Sequence, residues 1–265
     1  MKSDNINQAV TILEENRLAN TALEKLDSSV RPLDMGAAYK IQNSLNDKLS
    51  RSRLGSRSGF KIGCTTPVLQ RYLDIHEPIY GEIFSSTMYK DTAILDLANY
   101  VELGIETEMA VRLDTDLPNN GDPYDFEHIA DAIDSVMISI ELVDARYENF
   151  KTLDTPTLTA DNFFNAGIVL GRPIADWHEL DLASLESFVT LNSKVLGRGK
   201  GSLIMGHPLN ALTWLANKLC EQGHMLRGGN IVSLGSMVKT HWAKPGDTLH
   251  HHMAGLGSVS VTVKG

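Results

Sequence analysis

The sequence predicts a mixed α/β protein: a helical N-terminal part over residues 1–58, then a mainly antiparallel β domain with flanking helices over residues 59–265. Three observations predict it. Amphipathic helical spacing dominates residues 6–49. From Phe60 onward the chain breaks into short apolar runs split by Gly, Pro, Asn and Asp. Those strand-like runs outnumber the helices that could cross between them, which disfavours a regular βαβ series.

From Ile6 to Leu26, apolar residues fall at Ile6, Ala9, Val10, Leu13, Leu18, Ala22 and Leu26, the pattern of one or two amphipathic helices. The Asp27-Ser28-Ser29 turn and Pro32 end this section. Asp34 then suits a helix N-cap, followed by Ala37, Ile41, Leu45 and Leu49 spaced four apart on one face. Arg51 to Gly59 (RSRLGSRSG) is polar and carries three arginines, so it reads as a connector, with an anion-facing loop as the alternative. The strand signals that follow are FKIGC, IYGEIF, MAVRL, SVMISIELV, GIVLG, IVSLG and SVSVTV. Among them a short helix is expected from Asp181 to Val189. A longer one is expected from His207, with an apolar face of Leu209, Leu212, Leu215, Ala216 and Leu219 and a stop at Gly223.

Composition narrows the function. Acids outnumber bases 33 to 24, a formal charge of −9, so no global attraction to phosphate backbones exists and nucleic acid is not the expected partner. No apolar run approaches the ~20 residues of a membrane-spanning helix, so no membrane partner is expected. The N-terminus has no secretory pattern. Cys64 and Cys220 stand far apart with no CxxC motif, which fits buried structural thiols in a reducing cytoplasm.

The segment Glu102 to Val111 (ELGIETEMAV) carries the chemistry. In a strand, alternate side chains share a face, so Glu106 and Glu108 lie side by side, with Ile105, Thr107, Met109, Val111 and Leu113 opposite. Two carboxylates about 7 Å apart along a strand call for a cation or protons between them. Glu141, alone in the apolar run Ser135 to Val143, also needs compensation and can complete the site. Three carboxylates offer an oxygen-only shell, suited to Mg²⁺ or Mn²⁺ rather than zinc. The alternative is a solvated face for Glu106 and Glu108, with Glu141 paired to an arginine.

Lys61 lies between Gly59 and Gly63, glycines that allow close approach by a ligand. It can hold a carboxylate or act as an acid/base, or simply snorkel to solvent. Gly63 and Ser236, the latter in the turn Gly235-Ser236-Met237, are candidate substrate contacts. His250, His251 and His252 lack ordered ligand spacing and read as a solvated loop or strand end. No GxSxG, Walker or GxGxxG motif occurs.

The strings GFKIGCTTPVLQRYL, EPIYG, GIETEMAVRLDTDLP, ELVDARYENFK, TADN, GIVLG, GHPLNALTWLANKL, IVSLGSM, KPGDTL and GLGSVSVTV follow one another in an order that resembles the hydratase/decarboxylase branch of the fumarylacetoacetate hydrolase superfamily. The resemblance runs from about Asp34 to the C-terminus. It implies the superfamily's mixed β roll, Mg²⁺ or Mn²⁺ on Glu106, Glu108 and Glu141, and Lys61 as the active-site lysine. It further implies a small 2-oxo acid substrate of aromatic-compound breakdown, an enolate stabilised by the metal, and a homo-oligomer able to associate with a related enzyme.

One departure stands out. Hydratases of this branch read P-D-[FY]-G where this chain has Pro78-Ile79-Tyr80-Gly81, and Ile79 cannot transfer a proton. The expected reaction is hydration of a 2-keto-4-pentenoate type, with decarboxylation of a 4-oxalocrotonate type as the alternative. Glu77 is a conceivable displaced carboxylate. Acylpyruvate C–C hydrolysis would need a His–Glu pair that none of the nine histidines supplies by position. A non-catalytic partner subunit is the remaining reading.

Overall fold

A computed structural model describes the backbone of residues 1–265 and every side chain but that of residue 72. In chain order the elements are α1 (Ser3–Ala19), α2 (Met35–Ser50), β1 (Arg57–Gly63), α3 (Pro67–Tyr72), β2 (Ile79–Phe84), β3 (Met88–Lys90), β4 (Thr92–Asp96) and β5 (Leu103–Leu113). Then come α4 (Phe126–Asp131), β6 (Ile133–Asp144), α5 (Thr155–Ala160), β7 (Asn165–Leu170), β8 (Glu186–Leu191) and β9 (Lys194–Lys200). The last are α6 (Pro208–Glu221), β10 (Ile231–Ser236), β11 (His241–Trp242), β12 (Thr248–Met253) and β13 (Gly257–Lys264).

The first helix is shorter than its apolar pattern suggests. It stops at Ala19 because Asn20 turns into the left-handed region (φ 53°), and Leu23 instead bridges to Tyr147. The second follows expectation: the Asp34 carboxylate accepts the Ala37 N–H at 2.7 Å, and Ala37, Ile41, Leu45 and Leu49 are buried. Fully burying each of these larger side chains contributes about 2 kcal/mol. With Val10 and Leu13 they form one core with Ile79, Phe84 and Leu158, so the helices close over one side of the β structure.

Eight strands make the principal sheet, in the order β2-β1-β10-β5-β6-β7-β3, with β11 also paired to β5. The β1–β10 and β3–β7 pairs are parallel and the others antiparallel. The sheet curls until β2 meets β7, a mixed roll whose interior can hold a site. A second sheet, β4-β13-β12-β8-β9, packs through β12 and β13 onto β6. Helix α6 lays Leu212, Leu215 and Leu219 against the core that contains Val232 and Leu234 of β10.

Two expectations are corrected here. Residues 181–189 are not a helix: Asp181 caps a short turn and the segment enters β8, where Ser187 and Val189 are buried alternately. The hairpin turn Asn192-Ser193, both at positive φ (49° and 65°), pairs β8 with β9 and sets that period of two. The histidine run is neither a loop nor a strand end. It lies within β12, with His251 buried between the sheets: its Nδ1–H donates to the Ser139 carbonyl at 3.0 Å and its Nε2 accepts from the Ser187 hydroxyl at 2.9 Å. Burial holds this ring's pKa down to about 4.

Candidate metal and substrate site

The antiparallel register of β5 and β6 sets Glu106 directly opposite Glu141, and Glu108 opposite Ser139. Opposed residues share a face, so all three carboxylates converge, with one oxygen from each lying within 4.8 Å of the others. Glu108 and Glu141 are fully buried and Glu106 is partly exposed to a cavity. The solvated-face alternative therefore fails. Lys61 reaches them across the roll from β1, also buried, with its Nζ 3.1 Å from Glu141 Oε1 and 4.8 Å from the centroid of the Phe163 ring.

Each glutamate has one oxygen held by protein donors. Glu108 Oε2 accepts from Ser233 Oγ at 2.6 Å and from the Gly235 N–H at 3.0 Å. Glu141 Oε1 accepts from Lys61 and, at 3.2 Å, from Asn165 Nδ2, and Glu106 Oε1 accepts from Thr240. Glu108 Oε1 and Glu141 Oε2 are buried with no hydrogen-bond partner among the described residues. Buried orphaned acceptors are costly, and here they face a cluster of like charge. Burial, then the neighbouring glutamates, pushes the Glu108 carboxyl well above its ordinary range. Burial, opposed by Lys61, takes Glu141 up to about 7. An oxygen-only set of three convergent carboxylates with free buried lone pairs fits a hard divalent cation.

The cavity beside this cluster has a volume of about 350 Å³ and is walled by Phe150, Phe163, Phe164 and Trp242. Asn162, Phe163 and Phe164 all adopt positive φ (59°, 41° and 67°), a conformation bulky residues rarely take. Asn162 holds this turn in place, its amide exchanging hydrogen bonds with the Glu82 backbone at 2.7 and 2.8 Å. Gly63 is obligatory beneath it, since a Cβ there would lie 2.6 Å from the Phe163 ring.

Gly63 and Ser236 both line the cavity, as does Lys61. The Ser236 hydroxyl donates to the Val238 carbonyl at 2.7 Å, and the Gly235 N–H serves Glu108. Ile79 pairs with Gly63 on the Lys61 face of β1 and β2, but it packs into the helical core. Glu77 does not replace the aspartate: it is bound by Lys218 at 2.7 Å and Trp214 at 3.3 Å on α6. None of Arg51, Arg53 and Arg57 lines the cavity, nor, among the described residues, does a histidine. Cys64 lines it, with its thiol pushed up to about 12 by burial. Sequence reasoning missed Asn165, Ser233 and Thr240, which no spacing marks because strand register and the β10–β11 turn bring them in.

A model of the fumarylacetoacetate (FAA) hydrolase C-terminal family matches residues 71–264, a span that contains all three glutamates. The chain belongs to this family. It is 33% identical to a 2-keto-4-pentenoate hydratase of Paraburkholderia phymatum, over 98% of both chains. It is also 29% identical to a 4-oxalocrotonate decarboxylase of Pseudomonas putida, over 94% of this chain and 92% of the other. Among solved family structures, the 4-oxalocrotonate decarboxylase of Pseudomonas putida G7 complexed with magnesium and adipate superposes with a TM-score of 0.92. It is 26% identical and covers 99% of this chain and 98% of its own. The roll expected from the resemblance is thus the fold observed.

Proposed function

We propose that this protein is a divalent-metal-dependent lyase acting on 2-oxo or 2-hydroxydienoate acids, of the hydratase type. The observation that carries the reading is the trio of glutamates, with two unpaired buried oxygens, beside Lys61 and next to an aromatic-walled cavity that Glu106 and Lys61 line. Glu106, Glu108 and Glu141 would hold Mg²⁺ or Mn²⁺; when bound, the metal would supply a positive charge that stabilises enolate character at the 2-oxygen of the substrate. The solved relative that holds magnesium and adipate, and the hydratases similar along the whole chain, support this reading.

The chain's own groups have defined tasks. Thr240, Ser233, Gly235 and Asn165 orient the carboxylates. Lys61, kept in place by Glu141, holds a proton at the cavity wall where the substrate's carbon chain would lie. The aromatic walls exclude bulk water and leave room for a flat conjugated chain. In hydration, 2-hydroxypenta-2,4-dienoate loses its hydroxyl proton and gains one at C5. Water then adds at C4 and C3 takes the second proton. Two unpaired cysteines suit a reducing cytoplasm, where we place the protein, and we expect it to self-associate as a homo-oligomer.

Decarboxylation is the second reading, and Ile79 favours it. On the Lys61 face this apolar residue supplies no group to activate water, and loss of carbon dioxide needs no attacking water. Mass spectrometry of products from the purified chain with Mg²⁺ or Mn²⁺ separates the two, given 2-hydroxypenta-2,4-dienoate or 4-oxalocrotonate, with a chelator control. Gain of one water on the first is the expected result. Loss of carbon dioxide from the second, with the first untouched, selects decarboxylation, and no turnover of either rejects both.

A further inference from the structure

The last turn of α1 carries a cation with no carboxylate of its own. Arg17 Nη2 donates to the Asn165 carbonyl at 2.8 Å, and its guanidinium lies 5.9 Å from the centroid of the Phe84 ring, so the group is held in place. Arg146 donates to that same carbonyl at 3.2 Å, which brings two guanidinium groups together. Their situations differ. Arg146 is paired with the Asp161 carboxylate at 3.0 Å and also donates to the Asp161 carbonyl at 2.8 Å. Among the described residues, no carboxylate lies within ion-pair distance of Arg17, and its Nη1 is buried with no hydrogen-bond partner. Burial, reinforced by Arg146 and opposed by Asp161 and Asp144, pulls the Arg17 pKa down to about 9. A desolvated cation with an orphaned donor is costly and calls for an acceptor that carries negative charge.

Arg17 lines a polar cavity of about 380 Å³ that shares no lining residue with the glutamate cavity. Arg146 and the exposed Arg53 line it too, so three arginines meet there in a chain of net charge −9. Two acids share the wall, and both are tied to backbone N–H groups. Asp144 Oδ1 accepts from Val101 and Glu102 at 2.9 Å each, and Asp96 accepts from Ala98 at 2.9 Å. Among the lining residues, the one buried side-chain atom without a partner is Arg17 Nη1, a donor. A neutral ligand would leave this charge uncompensated, whereas an oxyanion brings both lone pairs and charge to a guanidinium fork.

We propose that this cavity is a binding site for a small oxyanion, a carboxylate or a phosphate, with Arg17 as its buried anchor and Arg53 as an exposed second contact. Calorimetric titration of acetate and, separately, of inorganic phosphate into the full chain tests it, with chelator present so that no metal at the glutamates can take up the anion. The expected result for the wild type is one site per chain with a Kd below about 1 mM for at least one of the two anions, and the tighter arm tells carboxylate from phosphate. Arg17→Met is expected to weaken that binding at least about tenfold. Arg53→Met, a change at an exposed side chain, is expected to weaken it about threefold without disturbing the fold. Lys239→Met removes an exposed cation lining the glutamate cavity and is expected to leave the affinity unchanged. No binding of either anion by the wild type, or undiminished binding in both arginine variants, overturns the proposal. Loss of binding in Lys239→Met also overturns it, since the anion would then sit in the glutamate cavity.

Discussion

Strand β1 carries two carboxylate–cation clusters at opposite ends, and they differ in one respect. At Arg57, the guanidinium meets both oxygens of the buried Glu82 through Nε and Nη2, and extends Nη1 to Asp47. At Lys61, a single ammonium faces three glutamates, and two of the buried oxygens have no partner. The first cluster borders the larger cavity, about 680 Å³ against about 350 Å³, yet its Arg57–Glu82 pair is already satisfied. An excess of buried negative charge with free lone pairs, and not volume, singles out the Lys61 cluster as the candidate site.

Substitutions in the two clusters should have different consequences. Glu108→Gln should lower turnover by about 10³-fold while the circular dichroism spectrum stays that of the wild type. Preserved activity would remove Glu108 from the site. Arg57→Met should leave Glu82 buried and unpaired and cost about 3 kcal/mol of stability, read by urea unfolding, with metal affinity unchanged.

The pH response separates the clusters further. The Glu108 and Glu141 carboxyls titrate above their unfolded values, so for these two groups the metal-free fold is favoured at low pH and loses stability as pH rises through about 7 for Glu141. Adding Mg²⁺ at 100 times its Kd should stabilise the chain by about 2.7 kcal/mol at pH 8, and far less at pH 5, where protons compete. A thermal melt series at the two pH values checks the sign. The smallest effect belongs to Asn165→Ala, which leaves Lys61 as the one remaining donor to Glu141 Oε1 and should weaken metal binding about tenfold.

What was legible in the sequence follows from what is local. Period-two alternation placed Glu106 and Glu108 on one face, and the four-residue spacing after Asp34 located α2 with its cap. The meeting of Lys61 with Glu141 was not readable from spacing, because it depends on the sheet curling until β1 faces β6 across the roll. The segment 181–189 misled because Leu182, Leu185 and Val189 also fit a helical period. The Asn192-Ser193 turn held the contrary signal. Buried His251 was hidden between two solvent-facing histidines of the same strand. Asn165 and Thr240 are ordinary polar residues until register brings them to the carboxylates.

On this account a divalent cation binds the unsatisfied cluster and not the satisfied one. Calorimetric titration of Mn²⁺ into the chelator-treated wild type, Glu108→Gln and Glu82→Gln distinguishes the two. One ion per chain in the wild type and in Glu82→Gln, with binding lost in Glu108→Gln, is the predicted result. No binding to the wild type, or undiminished binding in Glu108→Gln, would contradict it.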